Sequence, residues 1–380
     1  MSCVNDILDF VRGYQGSCCA LNNGSPFMKR PFKRRDMDLN SFFKLKDVKD
    51  ILSQELNVLM TSNSQISSYN ISSNQILLKL NRSTIIKSIF LEISKYKSAY
   101  GSSSVFSNKS YKICCTECGD SLTQLRLCVA ARVLAALVRI GGGSVSSDGQ
   151  EKIHLSNTGT STQSILVNLA RVTSAPNMSE EEFVRTRTED ILVMSDHKNM
   201  TKQSVEQLVS AAVTFDLLSV KLEKPLYLDV TLQPSAARIS NNKGAPFVLY
   251  NYARLSAILE KFDYCVAESI FRPLPSLDDI NYSLFTEEDE WSLVFDLLAE
   301  WPAVVTECQN LTRPGLHRLT GFLSTLASIF SVYYRHTRVL NEGLPHMVPL
   351  MEARIHLLLA IRQVFLNAFS LLGIVAPTSM

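Results

Sequence analysis

The sequence predicts an α+β N-terminal domain, an α/β middle region and an all-α helical bundle at the C-terminal end. Three observations lead to this order. Residues 76–97 have the pattern of a strand followed by a helix, and residues 121–139 form a strong helix that ends at a run of glycines. From Pro246 onward the pattern is helical almost throughout. We therefore place the domains at 1–110, 111–240 and 241–380.

The N-terminal domain is basic. Residues 1–100 hold 14 Lys/Arg against 8 Asp/Glu, and such a surface suits a polyanionic partner. The run KRPFKRR at 29–35 is typical of a solvated loop, a nuclear-localisation signal or a contact with an RNA backbone. Residues 61–75 are rich in Ser and Asn and predict a loop. Residues 98–110 predict a linker, since Gly and Ser leave little reason to pack.

In the middle region, Ser121 to Arg139 predict a helix with a glycine cap at Gly141 to Gly143. Residues 144–164 are polar and predict a loop. Residues 205–218 predict an amphipathic helix, and residues 225–232 an extended segment. Together these elements predict an α/β region.

The bundle opens with residues 246–262, where a proline lies in the first helical turn. The apolar residues at helical spacing predict its buried stripe: Val248, Leu255, Leu259 and Phe262. Tyr250 and Arg254 fall on a neighbouring face. A ring beside a guanidinium can stack an unpaired base and hold its phosphate, although the same pattern is also typical of a plain solvated face. Residues 287–290 (EEDE) predict a helix cap.

The composition indicates what kind of protein this is and where it is expected in the cell. Hydrophobic residues make up 46% and charged residues 19% of the 380 residues, which indicates a globular protein. The nine cysteines and an N-terminus without a basic start and apolar run predict a reduced cytoplasmic location, with the nucleus as the alternative. Residues 363–380 carry no charge, yet their polar residues predict a buried core helix and no membrane partner.

Residues suited to catalysis do not form a recognisable constellation. Cys115 and Cys118 are spaced as C-x-x-C, but no second pair at zinc-ribbon spacing accompanies them. The six histidines form no close pair, and no glycine-rich loop after a strand suits a nucleotide or S-adenosylmethionine. We expect no catalytic residues, no metal and no cofactor.

Three segments of the bundle resemble arginyl-tRNA synthetases. Tyr250-x-Tyr252-Ala253-Arg254 resembles the Tyr-Ala-x-Ala-Arg stretch that opens the DALR anticodon-binding domain of that family, with Asn251 replacing the first Ala and Tyr252 the usual His. Residues 332–340 (VYYRHTRVL) are similar to a later segment of the domain. Residues 354–380 end on Leu-Leu-Gly, an Ala-Pro pair and a terminal Met, as that family does.

The resemblance extends into the middle region, which looks like a truncated, degenerate class I synthetase domain. The helix at 121–139 matches the helix after the first class I signature. In that signature the histidines of His-x-Gly-His bind the ATP phosphates, whereas this chain has Ser121, Leu122, Thr123 and Gln124. Donors aimed at developing charge are usually the largest catalytic contribution. We therefore expect adenylation activity to be lost.

The whole chain resembles a non-catalytic, synthetase-derived group of DALR-domain proteins. The resemblance implies an adaptor that recognises arginine tRNAs and partners a methyltransferase-like enzyme forming 3-methylcytidine at position 32 of the anticodon loop. The residues expected at the anticodon side are Tyr250, Arg254, Arg338, Arg354 and Met380; those expected at the tRNA body are Lys29, Arg30, Lys33, Arg34 and Arg35. Two alternatives stay open: a diverged arginyl-tRNA synthetase, and a protein–protein scaffold, which the 14 Asp/Glu against 10 Lys/Arg in residues 241–380 favour.

Overall fold

The computed structural model consists of three sheets followed by a bundle of helices. It describes residues 42–46, 66–72, 75–158, 164–175, 177–194, 201–229, 244–341 and 344–377. The bundle and the middle region share one continuous apolar core.

The first sheet is antiparallel, with the order β1-β3-β2. Its strands are β1 (Phe42–Lys46), β2 (Ile66–Ser72) and β3 (Gln75–Leu80), and helix α1 (Arg82–Tyr96) follows. The predicted strand and helix at 76–97 are confirmed. The predicted loop at 61–75 is wrong, because β2 lies within it. The backbone of β3 pairs with this segment, and a Ser/Asn-rich composition does not prevent backbone pairing.

The segment after α1 is packed, so its prediction as a linker is wrong. The Tyr100 side chain is 3% exposed, and its hydroxyl donates to the Leu298 carbonyl at 2.8 Å. The Trp301 indole N–H donates to the Tyr100 carbonyl at 3.0 Å. Gly101 has φ +92°, and a Cβ there would lie 2.7 Å from Trp301 Nε1. The glycine thus allows close approach to an aromatic core.

The second sheet is parallel and has the order β5-β4-β6-β7. Its strands are β4 (Ser110–Cys115), β5 (Ser144–Val145), β6 (Glu151–Ser156) and β7 (Ile165–Asn168), and helix α2 (Ser121–Ile140) follows β4. The helix predicted at 121–139 is confirmed. The predicted loop at 144–164 is wrong, since β6 buries Ile153 and Leu155 between two partner strands.

A third sheet pairs β8 (Val172–Ala175) with β9 (Leu226–Asp229) in parallel. Helices α3 (Glu180–Met194) and α4 (Lys202–Leu217) connect them. The helix predicted at 205–218 is confirmed by α4, and β9 confirms the described part of the extended segment predicted at 225–232, whose residues 230–232 lie outside the described residues.

Arg126 of α2 holds this part of the fold together. Its side chain is fully buried, with 0% exposure. Its three guanidinium nitrogens donate to five backbone carbonyls, at 2.9 to 3.3 Å: those of Ala170, Leu217, Val220, Lys221 and Lys224. Burial lowers the pKa of Arg126 to about 10, so the group keeps its charge at neutral pH. One cation therefore satisfies carbonyls from two separate segments: the end of α4 with its connection to β9, and Ala170 just before β8.

The helical bundle follows. Its helices are α5 (Ala245–Ala267), α6 (Glu288–Trp291, continued by a π-helical turn at Ser292–Leu298), α7 (Trp301–Cys308), α8 (His317–His336) and α9 (Val348–Leu372). All four residues of the predicted α5 stripe are buried. Glu287 and Glu290 form a capping box at the start of α6, which confirms the predicted cap. Gly373, at φ 64°, ends α9.

Both flanking regions pack on this bundle. Phe90 of α1 makes edge contacts with the rings of Tyr282 and Phe285. From α2, the Arg132 guanidinium donates to the carbonyl of Leu372, in the last turn of α9, at 3.2 Å. The boundaries proposed at residues 110 and 240 stay predictions.

Two helices in the described part of the chain, α2 and the stretch 345–372 that contains α9, are long and apolar enough to cross a membrane by length and composition. In this fold both are mostly buried against protein. The position of α9 agrees with the prediction of a buried helix.

Candidate nucleic-acid interface

Helices α5 and α8 bring together a cluster of one arginine and two tyrosines. The Arg254 guanidinium carbon lies 4.6 Å from the ring centre of Tyr250 and 4.5 Å from that of Tyr334. Arg254 Nη2 also donates to the Tyr250 hydroxyl at 2.5 Å. Tyr250 is 42% exposed and Tyr334 is 37% exposed. We call Tyr250, Arg254 and Tyr334 the Tyr–Arg–Tyr cluster.

Two arginines and a histidine lie just beyond the cluster in sequence. Arg335 and His336 are exposed in the last turn of α8, and Arg338 is exposed two residues further on. Cations in the last turn are stabilised by the helix dipole. Arg338 Nε donates to the Leu340 carbonyl at 3.1 Å, and the residue is exposed. The cluster thus lies on a locally basic surface of an otherwise acidic domain.

The geometry assigns different chemistry to the three side chains. Two aromatic rings already lie against Arg254, so its guanidinium offers N–H groups at its edge rather than a free face. Those N–H groups match base-edge acceptors and phosphate oxygens. The tyrosine rings offer faces on which an unpaired base can stack.

Tyr334 was not among the predicted contact residues. The pair Tyr333-Tyr334 leaves open which ring faces outward. The apolar stripe of α8, in which Leu326, Phe330 and Tyr333 are buried, places Tyr333 inward and turns Tyr334 to the surface. Extending this helical stripe along the sequence would have found the residue.

The structure contradicts the prediction of Arg354 as an anticodon contact. Arg354 is 8% exposed, and its Nε donates to Glu290 Oε1 at 2.8 Å. Glu290 is 0% exposed and also accepts from the Tyr333 hydroxyl at 3.3 Å. Burial raises the pKa of Glu290, and the Arg354 guanidinium opposes this rise. Arg354 is therefore part of the domain core, because separating this buried ion pair would leave an unpaired charge in the interior.

The buried network of Glu290, Tyr333 and Arg354 also contacts the segment next to the Tyr–Arg–Tyr cluster. Arg354 Nη1 donates to the Arg338 carbonyl at 3.4 Å, and Tyr333 directly precedes Tyr334. The network ties α6, α8 and α9 to the segment that carries the exposed cations.

The other predicted contacts lie outside the described residues. These are Met380 on the anticodon side and Lys29, Arg30, Lys33, Arg34 and Arg35 on the tRNA body side. Their contacts stay predictions.

A second candidate site is the open groove at the carboxyl end of β4, with a volume of about 1050 Å³. In parallel α/β folds ligands bind at this edge, where a helix N-terminus attracts anions. Here Asp120 takes that position. Its carboxylate accepts from the Leu122 N–H at 3.1 Å and from the Thr123 hydroxyl at 2.6 Å. Glu117 and Glu182 add further carboxylates to the lining.

Three polar side chains at the start of α2 have partners within the protein. Ser121 Oγ accepts from the Glu180 N–H at 3.0 Å, and Thr123 Oγ1 accepts from the Val172 N–H at 3.0 Å. Gln124 Oε1 accepts from the Cys118 N–H at 2.9 Å. These three side chains therefore accept hydrogen bonds from protein backbone around the start of α2.

The C-x-x-C pair is not part of a metal-binding cluster in the described part of the chain. Among those residues, no three His, Cys, Asp or Glu side chains lie close enough together to hold a metal ion. Burial raises the pKa of Cys115 to about 11, which keeps it a thiol. Cys118 Sγ accepts from Asn157 Nδ2 at 3.1 Å.

The bundle is similar to a known domain family. Residues 248–380 match the DALR anticodon binding domain. Over its whole length the fold is similar to the Thermus thermophilus arginyl-tRNA synthetase, with a TM-score of 0.67 at 10% identity, over 99% of this chain and 100% of that one. The chain therefore has a C-terminal segment that matches this domain, on a fold similar to that of an arginyl-tRNA synthetase, and the expected fold class is confirmed.

Among curated proteins, the chain is similar to the DALR anticodon-binding domain-containing protein 3 of Danio rerio. The two are 30% identical over 179 residues, which is 45% of this chain and 32% of the relative. It is also similar to the arginine–tRNA ligase of Desulfosudis oleivorans, at 32% identity over 179 residues, 47% of this chain and 30% of the relative. The matched part of the chain spans about a third of the length of these relatives. The resemblance predicted from the sequence is confirmed.

Proposed function

We propose that the protein is a non-catalytic tRNA-binding adaptor. It recognises arginine tRNAs through the anticodon side and supports 3-methylcytidine formation at position 32 by a partner methyltransferase. The adaptor supplies affinity for the tRNA, and the partner supplies the chemistry.

The observation that carries the proposal is the Tyr–Arg–Tyr cluster on the exposed face of the DALR anticodon binding domain. Sequence-specific recognition of RNA mostly targets unpaired bases, which stack on aromatic rings and are read at their edges. An anticodon loop presents such bases. Arg335 and Arg338 add charge for its phosphates.

The groove at β4 supports the non-catalytic part of the proposal. Its lining contains three carboxylates, those of Glu117, Asp120 and Glu182, against one arginine, Arg171, and an excess of negative charge disfavours the phosphates of ATP. The first four residues of α2, Ser121 to Gln124, include no histidine that could stabilise charge during adenylation.

Replacing Arg254 by alanine is expected to weaken binding to an arginine tRNA by about 1–3 kcal/mol. The substitution removes the N–H edge and loosens the two rings that lie against it. Affinity is measured by filter binding or fluorescence anisotropy at several salt concentrations, because a charge contact also contributes to the salt dependence.

Arg313→Ala is the matched control, since Arg313 is an exposed arginine in the loop before α8. Its removal should leave the affinity nearly unchanged. Equal affinities of wild type and Arg254→Ala, with both proteins folded, would remove the cluster from the RNA interface.

The adaptor function is tested with the partner present. A purified 3-methylcytidine tRNA methyltransferase is assayed on an arginine tRNA and on a non-cognate tRNA, with and without this protein. We expect stimulation on the arginine tRNA alone, and less of it with Arg254→Ala. Binding to tRNA without any stimulation would leave a tRNA-binding protein with another purpose, and absence of binding would favour the protein–protein scaffold.

The diverged-synthetase alternative predicts ATP–pyrophosphate exchange in the presence of arginine and tRNA. We expect no exchange above background, because Ser121 to Gln124 bind backbone and Asp120 fills the helix N-terminus. An active arginyl-tRNA synthetase serves as the positive control. Exchange above background by the purified wild-type protein would contradict the non-catalytic assignment.

A further inference from the structure

The end of α1 contains a lysine in a backbone conformation that side chains avoid. Lys97 has φ 47° and ψ −117°. Glycine adopts this region without steric cost, whereas a Cβ at positive φ meets the backbone. A glycine would thus suit the turn better than the lysine that occupies it.

The surrounding structure holds Lys97 in this conformation. The Asn367 side chain of α9 is 4% exposed, and its Nδ2 donates to the Lys97 carbonyl at 2.9 Å and to the Tyr100 carbonyl at 3.3 Å. The Tyr100 N–H also donates to the Lys97 carbonyl, at 3.0 Å. Three hydrogen bonds therefore fix the turn, and the lysine side chain is not needed to form it.

The side chains of this turn face outward. Lys95, Tyr96 and Lys97 are consecutive and exposed, and Tyr96 is 40% exposed. Lys95 Nζ lies 5.1 Å from the centre of the Tyr96 ring. Across the described part of the chain, neither lysine takes part in an ion pair. The turn presents two cations beside an aromatic ring.

We propose that Lys95, Tyr96 and Lys97 form a second RNA-contact site, in which the lysines bind backbone phosphates and Tyr96 stacks a base or ribose. This inference rests on the proposed function, because the RNA is the same tRNA. Strained residues that the fold over-determines are concentrated at functional sites. Cations and an exposed ring are the combination that binds RNA with little regard to sequence.

The position of the turn relative to α9 indicates how large an RNA must be to contact it together with the rest of the domain. Asn367 reaches the turn from one side of α9, while Phe365 and Phe369 contact Tyr252 of α5 from another side. Residues two apart on a helix face in nearly opposite directions. The turn and helix α5 thus lie on different sides of α9, so we take the shared ligand to be a folded RNA that extends beyond one helix, and not a mononucleotide.

The decisive variant is Lys97→Gly. It removes the strain and the charge together, so we expect a higher midpoint of thermal unfolding and a weaker affinity for an arginine tRNA. The magnitude of the negative slope of log K, the logarithm of the binding constant, against the logarithm of the salt concentration should become smaller by about 1. Lys97→Arg should retain the affinity. Lys202→Gln, at a lysine whose side chain is 93% exposed, is the matched control and should change neither the affinity nor the slope.

The outcomes separate this inference from the proposed function. A stabilised Lys97→Gly protein with wild-type affinity, alongside a weakened Arg254→Ala protein, overturns the second site alone. Wild-type protein that binds no tRNA overturns both proposals. A destabilised Lys97→Gly protein overturns the argument from strain, and with it this inference. Higher stability together with weaker, less salt-dependent binding supports it.

Discussion

Replacing Arg126 by methionine is expected to lower the free energy of unfolding by about 3–5 kcal/mol. Methionine keeps an unbranched stem but removes the donors to five backbone carbonyls. A buried acceptor without a partner loses its hydration and gains nothing in return. Urea unfolding followed by circular dichroism measures the change.

Arg139→Met is the control for this prediction, because Arg139 lies exposed in the last turn of the same helix. Surface substitutions of this kind change stability by about 0.5 kcal/mol or less. If both variants unfold at the same urea concentration with the same slope, the five hydrogen bonds of Arg126 do not contribute net stability.

Replacing Glu290 by glutamine is expected to cost about 3–5 kcal/mol, since it leaves the buried Arg354 cation without its counter-ion. The carboxylate also accepts from Tyr333 and from the Glu287 backbone N–H. Because these bonds tie α6, α8 and α9 together, we expect the loss to appear as global destabilisation. Thermal and urea unfolding measure it.

The exposed pair Arg82–Glu288 provides the comparison. Glu288 is 64% exposed, so Glu288→Gln should change stability by less than about 1 kcal/mol. A double variant, Glu290→Gln with Arg354→Met, should be more stable than Glu290→Gln alone, because it removes the unpaired cation. Additive losses in the double variant would show that the two groups do not interact energetically.

These two predictions also separate Arg354 from Arg254. Both arginines lie within segments that resemble the DALR domain, and both were predicted from the sequence to contact the anticodon side. In the structure Arg354 has a buried carboxylate partner and Arg254 has two exposed rings. Substitution of Arg354 should therefore act on unfolding, and substitution of Arg254 on tRNA binding.

Local sequence was a good guide wherever one helix or strand is decided by its own periodicity and caps. The apolar spacing along 121–139 and 246–262 predicted α2 and the first part of α5, and the glycines at 141–143 marked the end of α2. The acidic start at 287–290 predicted the cap of α6. These features depend on neighbours within a turn or two of the chain.

Local sequence was a poor guide where the partner is distant. The segment 98–110 contains small residues typical of a linker, yet Tyr100 packs against Trp301. Residues 151–156 are partly polar, yet they form a strand between β4 and β7. Burial by a distant segment overrides local preference, because the apolar area removed from water is decided by the whole fold.

The sequence alone determined the class of this protein: a basic N-terminal region, a synthetase-like middle without its catalytic histidines, and a DALR helical bundle. These properties are carried by residue types and spacing. Only the tertiary structure decided which candidate side chains reach the solvent. It buried Arg354 against Glu290, turned Tyr334 outward beside Arg254 and held Lys97 in a strained turn. An arginine reads the same in the sequence whether it is buried or exposed. The difference between Arg354 and Arg254 comes from the groups that folding brings near each of them.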